Sequence, residues 1–88
     1  MTYELFTYPS CQRCGELKAF LGGTDIRGEE FSLARKEGKL KIREYLTFIK
    51  RDEKGGMVLP ILILKDEGGV KAVLASREEL GEWLKSKA

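Results

Sequence analysis

An almost unbroken apolar run, Met57-Val58-Leu59-Pro60-Ile61-Leu62-Ile63-Leu64, constrains the fold of this chain more than any other feature. A strand with one face in water alternates polar and apolar residues, whereas a continuous apolar run predicts a central strand covered on both faces. Pro60 is the exception in the run, because a proline inside a central strand removes a hydrogen-bond donor. We therefore expect Pro60 at the start of the strand, where a cis peptide bond is one way to make a sharp approach.

The N-terminal part predicts a strand, a helix and a second strand. Tyr3 to Tyr8 is rich in aromatic and apolar residues and is followed by Pro9, which ends the ladder. Apolar side chains then recur at helical spacing as far as Gly22-Gly23, so the first helix is predicted over residues 12–22. Residues 26–33 predict a short strand that is irregular or edge-like, because a glycine and two glutamates interrupt its apolar positions.

A charged segment predicts the second helix. Residues 35–54 contain eight lysines and arginines against four acids. Gly38 is a poor helix former, so the sequence does not fix where the first turn of this helix begins, and Gly55-Gly56 ends the helix. The charges fit a solvated helix face or, alternatively, a docking patch for an acidic partner. The apolar stripe of this helix is formed by Ile42, Tyr45, Leu46 and Ile49.

The C-terminal part predicts a hairpin and a third helix. The turn Asp66-Glu67-Gly68-Gly69 joins the apolar run to an antiparallel strand around residues 70–74. Ser76 and Glu79 form a capping-box pattern before the last helix. The order is β-α-β-α-β-β-α in a single domain, 1–88, and a right-handed crossover makes the first two strands parallel. We expect an α/β fold with a four-stranded mixed sheet and helices on both faces.

Two cysteines, Cys11 and Cys14, stand three residues apart between the first strand and the first helix. A thiol at a helix N-terminus is near the positive end of the helix dipole and unpaired N–H groups, which favour the thiolate. This placement favours redox chemistry over a structural disulfide, because a bond closing so small a loop constrains the unfolded chain little. Cys11 is expected to be the exposed nucleophile, and Cys14, one turn inward on the same face, the resolving thiol.

Several neighbours of the pair have two interpretations. Arg13 either adds positive charge that favours the Cys11 thiolate or lies in solvent, and Lys18 either tunes the site or serves solubility. Tyr8 either lines a docking groove or fills space at a strand end. The residues expected to line a substrate groove are Tyr8, Pro9, Gln12, Arg13, Leu59 and Pro60.

As an ordered set, these features resemble the glutaredoxin branch of the thioredoxin fold. The resemblance covers nearly the whole chain and rests on Cys11-Gln12-Arg13-Cys14 after a strand, Lys18 four residues later, and Val58-Leu59-Pro60 before an apolar strand. It implies a thioredoxin-like fold and a dithiol thiol-disulfide oxidoreductase acting on protein or small-molecule disulfides. It also implies that Pro60 is cis and lies against the cysteine pair.

Three substitutions bear on glutathione, a reductant that the resemblance suggests. Family members that use glutathione often have a cation at the position of Tyr8, a threonine at that of Val58 and two glycines at those of Ala75-Ser76. Glutathione binding would therefore need other contacts. The start of the last helix, at Ser76 and Arg77, is a candidate carboxylate site. Replacement cations would come from Lys50, Arg51 or Lys54. A flavoprotein reductase is the alternative electron donor.

Charge and hydropathy narrow the class of protein. The net charge of +2, from 16 basic and 14 acidic residues, does not argue for a nucleic-acid partner. No apolar stretch approaches the roughly 18 residues of a membrane span, and the first residues have no cleavable leader pattern. We expect a cytoplasmic monomer without a membrane partner and without a tightly bound cofactor.

Two other functions are compatible with the same cysteines. An iron–sulfur or metal-binding module would need a dimer or outside thiols, because two thiolates cannot complete a tetrahedral site and the chain has no histidine. We therefore expect no metal site within one chain. A redox-sensing regulator similar to the arsenate-reductase-like regulators also begins with a Pro-Ser-Cys-x-x-Cys-like run, but those chains are longer and carry an extra helical segment.

Overall fold

A computed structural model describes residues 1–49, 51, 53–56 and 58–87 of the chain. In chain order, its elements are β1 (Thr2–Thr7), α1 (Gln12–Gly22), β2 (Arg27–Ser32), α2 (Lys36–Ile42), a 3₁₀ helix (Arg43–Phe48), β3 (Ile61–Asp66), β4 (Gly69–Leu74) and α3 (Arg77–Lys87).

The four strands form one mixed sheet in the order β2-β1-β3-β4. β1 is parallel to β2 and antiparallel to β3, and β3 and β4 form an antiparallel hairpin. The predicted α/β class with a four-stranded mixed sheet is confirmed. Of the two alternatives predicted for β2, irregular or edge-like, the edge position is observed, and all six of its residues pair in register with β1.

Alternation along β3 divides the interior into two cores, because successive side chains of a strand point to opposite faces. Leu62 and Leu64 pack with α1 and α3, whereas Ile61 and Ile63 pack with α2 and the 3₁₀ helix. The first core contains Leu5, Leu17, Leu21, Leu62, Leu64 and Leu80. The second contains Phe6, Leu33, Ile42, Tyr45, Ile61 and Ile63. Both faces of the apolar strand are covered, as its sequence predicts.

The second helix is shorter than predicted. Instead of running to residue 54, α2 ends at Ile42 and continues as a 3₁₀ helix that ends at Phe48. A 3₁₀ helix has 3.0 residues per turn and aligns residues three apart. Ile42 and Tyr45 are three apart and both buried, so the tighter winding keeps them facing the sheet. Helical periodicity did not distinguish the two kinds of helix.

Gly38 fixes the position of α2 against the sheet. It is buried in the first turns of the helix, and a Cβ at this position would collide with the backbone carbonyl of Ser32 at the end of β2. The glycine therefore permits close contact between helix and strand, and the first turn that the sequence left uncertain begins at Lys36.

Pro60 immediately precedes β3, as predicted, and the Leu59–Pro60 peptide bond is cis. Ile61 pairs with Phe6, so Pro60 lies at the end of the sheet where β1 leads into the cysteine loop. Met57, the first residue of the predicted apolar run, lies outside the described residues. No helix in the described part of the chain is long and apolar enough to cross a membrane.

A polar cluster holds the 3₁₀ helix to the second face of the sheet. The phenol of Tyr45 donates a hydrogen bond to the buried carboxylate of Glu4. The Lys65 ammonium donates to the same carboxylate at 3.2 Å and to the Tyr45 hydroxyl at 2.9 Å, and Lys41 lies 3.4 Å from Glu4. Burial raises the pKa of Glu4, but these hydrogen bonds and the two lysine charges outweigh it, so the pKa falls below its ordinary value.

Candidate functional site

The loop between β1 and α1 places Cys11 at the start of the helix. Cys11 is the N-cap residue of α1, with extended backbone geometry. Ser10 before it adopts a left-handed conformation with φ of 63°, which turns the chain from the strand into the helix. The Sγ of Cys11 accepts a hydrogen bond from the backbone N–H of Cys14 at 3.1 Å. A backbone donor and the helix dipole thus both favour negative charge on this sulfur.

Cys11 and Cys14 are joined by a disulfide, with their Cα atoms 5.2 Å apart. Cys11 is half-buried, whereas Cys14 is only 4% exposed and lies on the face of α1 that packs toward the sheet. Of the two sulfur-bearing residues, Cys11 is therefore the more accessible to an outside molecule. The expected order of exposure is therefore observed, and the roles of nucleophile and resolving thiol stay predictions.

The cysteine pair opens onto a cleft of about 560 Å³, here called the cysteine cleft. Both cysteines and three of the predicted groove residues, Tyr8, Pro9 and Gln12, line it. Arg13, Leu59 and Pro60 are not among its lining residues. The cleft also includes Thr7, Lys18, Glu30 and Ser32, of which the sequence singled out Lys18 alone.

An ion pair forms one wall of the cysteine cleft. The Lys18 ammonium lies 2.8 Å from Glu30, and the hydroxyl of Thr7 donates to the other oxygen of that carboxylate at 2.8 Å. The hydrogen bonds from Lys18 and Thr7 lower the pKa of Glu30. The positive charge of Lys18 is therefore paired with the carboxylate of Glu30, so Lys18 does not present an unpaired cation to the cysteines. Glu30 was missed because its position beside β1 follows only from the strand register.

The two residues between the cysteines form hydrogen bonds with other parts of the protein. The Arg13 guanidinium donates to the carbonyl of Ala75 at 3.3 Å, and Gln12 donates to Glu16 at 3.4 Å. Arg13 is exposed, and its hydrogen bond joins α1 to the segment before α3. An effect of its charge on the Cys11 thiolate stays a prediction.

A second groove, of about 500 Å³ and here called the α2 groove, adjoins the cysteine cleft. Tyr8 lines both, so both adjoin that side chain. Leu59, one of the predicted groove residues, lines the α2 groove together with side chains of α2 and the 3₁₀ helix. Pro60 is buried beside Leu59.

The candidate carboxylate site at the start of α3 is occupied by the protein's own side chains. The Ser76 hydroxyl accepts from the N–H of Glu79 at 3.1 Å, and the Glu79 carboxylate accepts from the N–H of Ala75 at 3.4 Å. The predicted capping interaction is present, with Ala75 rather than Ser76 as the donor to Glu79. Arg77 lies 3.7 Å from Glu78. Two acidic residues in the first turn work against a further carboxylate at this place.

Of the three replacement cations, two lie in the described part of the chain. Arg51 donates to the carbonyl of Gly55 at 2.9 Å, and Lys54 also has an interaction partner. Lys50 lies outside the described residues. Among those residues, no cluster of three or more His, Cys, Asp or Glu side chains is arranged to hold a metal ion.

Comparison with known proteins gives a structural match. No protein-family model and no curated protein matches the chain. A solved structure described as "Structure of a malarial protein" superposes with a TM-score of 0.64 and 19% sequence identity, covering 97% of this chain and 93% of that one. The match shows the fold alone.

Proposed function

We propose that this chain is a dithiol, glutaredoxin-like thiol-disulfide oxidoreductase that reduces protein or small-molecule disulfides in the cytoplasm. The observation that carries the proposal is the pairing of an accessible Cys11 with a buried Cys14 within disulfide-bonding distance at a helix N-terminus. The parallel β1–β2 pair, linked through α1, and the antiparallel β3–β4 hairpin support a thioredoxin-like fold.

In the first step of this reaction, the thiolate of Cys11 attacks one sulfur of the substrate disulfide. A bond forms between Cys11 and that sulfur, the substrate S–S bond breaks, and the other half leaves as a thiolate that takes up a proton. The N–H of Cys14 and the N-terminal end of α1 stabilise Cys11 Sγ as an anion before the attack.

In the second step, Cys14 loses its proton and attacks the Sγ of Cys11. The mixed disulfide breaks, the second half of the substrate leaves as a thiol after protonation, and the Cys11–Cys14 bond forms. Two electrons pass from the dithiol to the substrate. The Cα–Cα distance of 5.2 Å suits this closure, since disulfides join Cα atoms about 4.4–6.8 Å apart.

The dithiol is then restored by an electron donor, either glutathione or a flavoprotein reductase. The occupied N-terminus of α3 and the absence of a cation at Tyr8 favour the flavoprotein. The oxidised protein would be treated in parallel with glutathione and with an NADPH-dependent thioredoxin reductase. We expect the reductase to reduce the Cys11–Cys14 disulfide faster than glutathione does when both reactions receive the same amount of reducing equivalents.

Turnover tests the proposed function itself. With the better donor, the parent protein should catalyse reduction of bis(2-hydroxyethyl) disulfide, and Cys11→Ser should lower the rate by about 100-fold or more, because Ser cannot form the mixed disulfide. Ala19→Ser is the matched control on the same helix, since Ala19 is exposed and does not line the cysteine cleft. Equal rates for the parent and Cys11→Ser would overturn the proposal.

A further inference from the structure

The α2 groove combines an apolar floor with a basic rim. Leu33, Ile42 and Leu59 contribute the floor, and Lys39 and Arg43 the rim. The groove also takes in Tyr8 and Leu46, whose side chains are 52% and 43% exposed. Large apolar side chains left open to water in a groove indicate a surface that a partner covers.

Among the residues that the structure describes, the charges that line the groove have one sign. None of those residues in its lining is acidic, and Lys39 and Arg43 form no ion pair with any of them. Lys41, on the other side of the same helix, contrasts with them, because it pairs with Glu44 at 3.1 Å and with Glu4. Lys41 of α2 thus contacts the polar cluster, whereas Lys39 of α2 and Arg43 of the 3₁₀ helix line the groove.

The position of the groove relates it to Cys11. Tyr8 lines both the groove and the cysteine cleft, three residues before the nucleophile. A substrate chain joined to Cys11 in the mixed disulfide can therefore extend past Tyr8 into the groove. The occupant must present apolar side chains to the floor and negative charge to the rim.

We propose that the α2 groove binds the segment flanking the target cysteine of a protein disulfide, and that it selects a polypeptide with large aliphatic side chains and acidic residues. This inference rests on the proposed thiol-disulfide exchange and adds its substrate class. A small disulfide without flanking residues reaches Cys11 but leaves the groove unused.

The test compares three peptides, each joined through its cysteine to 2-mercaptoethanol: Glu-Leu-Cys-Leu-Glu, Lys-Leu-Cys-Leu-Lys and Glu-Ser-Cys-Ser-Glu. Second-order rate constants for their reaction with the reduced protein are measured at low salt. The acidic leucine peptide should react about 3- to 10-fold faster than either of the others, and the preference over the lysine peptide should shrink at high salt. Equal rates for the acidic leucine peptide and the serine peptide would mean that the apolar floor does not contribute to substrate binding.

Charge-reversed variants separate the groove from the intrinsic reactivity of each peptide. In K39E/R43E, the ratio of the acidic to the lysine peptide rate should fall about tenfold or more relative to the parent. The control R27E/K85E makes the same change in net charge elsewhere, with Arg27 at the far end of β2 and Lys85 on α3, and should shift the ratio less than about twofold. Equal shifts in both variants would overturn the docking surface.

The same data separate this inference from the proposed function. If the reduced parent cleaves no peptide and does not cleave bis(2-hydroxyethyl) disulfide, thiol-disulfide exchange itself is wrong. If it cleaves them all without preference, exchange stands and the substrate class is wrong.

Discussion

At the scale of single residues, burial distinguishes two chemically identical side chains. Cys11 caps α1 and is partly open, whereas Cys14 is 4% exposed in the next turn. The sequence predicted this difference. In a helix that packs on a sheet, the residue one turn after the exposed first residue can lie on the face toward the core. The sequence did not reveal the Glu30 carboxylate beside them, which reaches the cleft from a different strand.

Glu4 is a buried residue whose charge state should affect folding. Replacing it by glutamine should lower the free energy of unfolding at pH 7 by about 2 kcal/mol, because Tyr45 and Lys65 lose a buried anionic acceptor. The measurement is urea unfolding of the parent and of Glu4→Gln from pH 7 to pH 3.

The difference between these two proteins should depend on pH. The pKa of Glu4 in the folded state lies below its ordinary value of 4.5, so its stabilisation is fully present above that pH and is lost as the pH falls through the folded-state pKa. The gap should therefore close on acidification below pH 4.5. Glu29→Gln, at an exposed position of β2, is the control and should show little gap at any pH. A gap for Glu4→Gln that widens in acid would contradict the assignment.

At the scale of elements, Gly38 shows how tertiary contact overrides helix propensity. Gly38→Ala should destabilise the protein by about 2 kcal/mol, although alanine is the better helix former, because the new Cβ would meet the Ser32 carbonyl. Gly81→Ala in α3 is the matched control: nothing lies within 4 Å of its Cβ position, so it should stabilise by about 0.5–1 kcal/mol. Urea midpoints check both variants, and two stabilising substitutions would mean that α2 does not pack as described.

The elements that the sequence predicted well are those with unambiguous local signals. The helix over residues 12–22 was predicted at its observed bounds because a strand, a proline and a glycine pair delimit it. β3 was predicted from its unbroken run of apolar residues, because a strand that is covered on both faces has apolar side chains at successive positions. The end of the second helix was not predictable from sequence. The change to a 3₁₀ helix after Ile42 depends on the hydrogen bond between Tyr45 and Glu4, which is distant in the chain. The sequence placed Tyr8 and Leu59 in a groove and offered residues 35–54 as an alternative docking patch for an acidic partner. It did not show that the two adjoin, since the walls of the α2 groove come from separate parts of the chain.

At the scale of the whole molecule, the proposed exchange requires that the fold survive loss of its disulfide, because the reactive form in that proposal is the dithiol. The two cores lie on opposite faces of the sheet, and Cys11 belongs to neither. A disulfide between cysteines 3 residues apart in sequence contributes at most about 2 kcal/mol of stability in the chain-entropy description.

Reduction should therefore leave the protein folded, with a free energy of unfolding lowered by no more than about 2 kcal/mol. Circular dichroism and urea unfolding with and without dithiothreitol provide the measurement, and the double variant C11S/C14S serves as a control that cannot reoxidise. Unfolding on reduction would mean that the disulfide is structural.

The measurement that tests the central claim most directly is the number of thiols released in a single turnover. Reduced protein is mixed with a small excess of bis(2-hydroxyethyl) disulfide, and free mercaptoethanol and bound adduct are counted by mass spectrometry. We predict two mercaptoethanol molecules from the parent, one from Cys14→Ser with the other held on Cys11, and none from Cys11→Ser on the same timescale. Release of two molecules by Cys14→Ser, or an adduct formed as fast on Cys14 of the Cys11→Ser variant, would contradict the assigned roles.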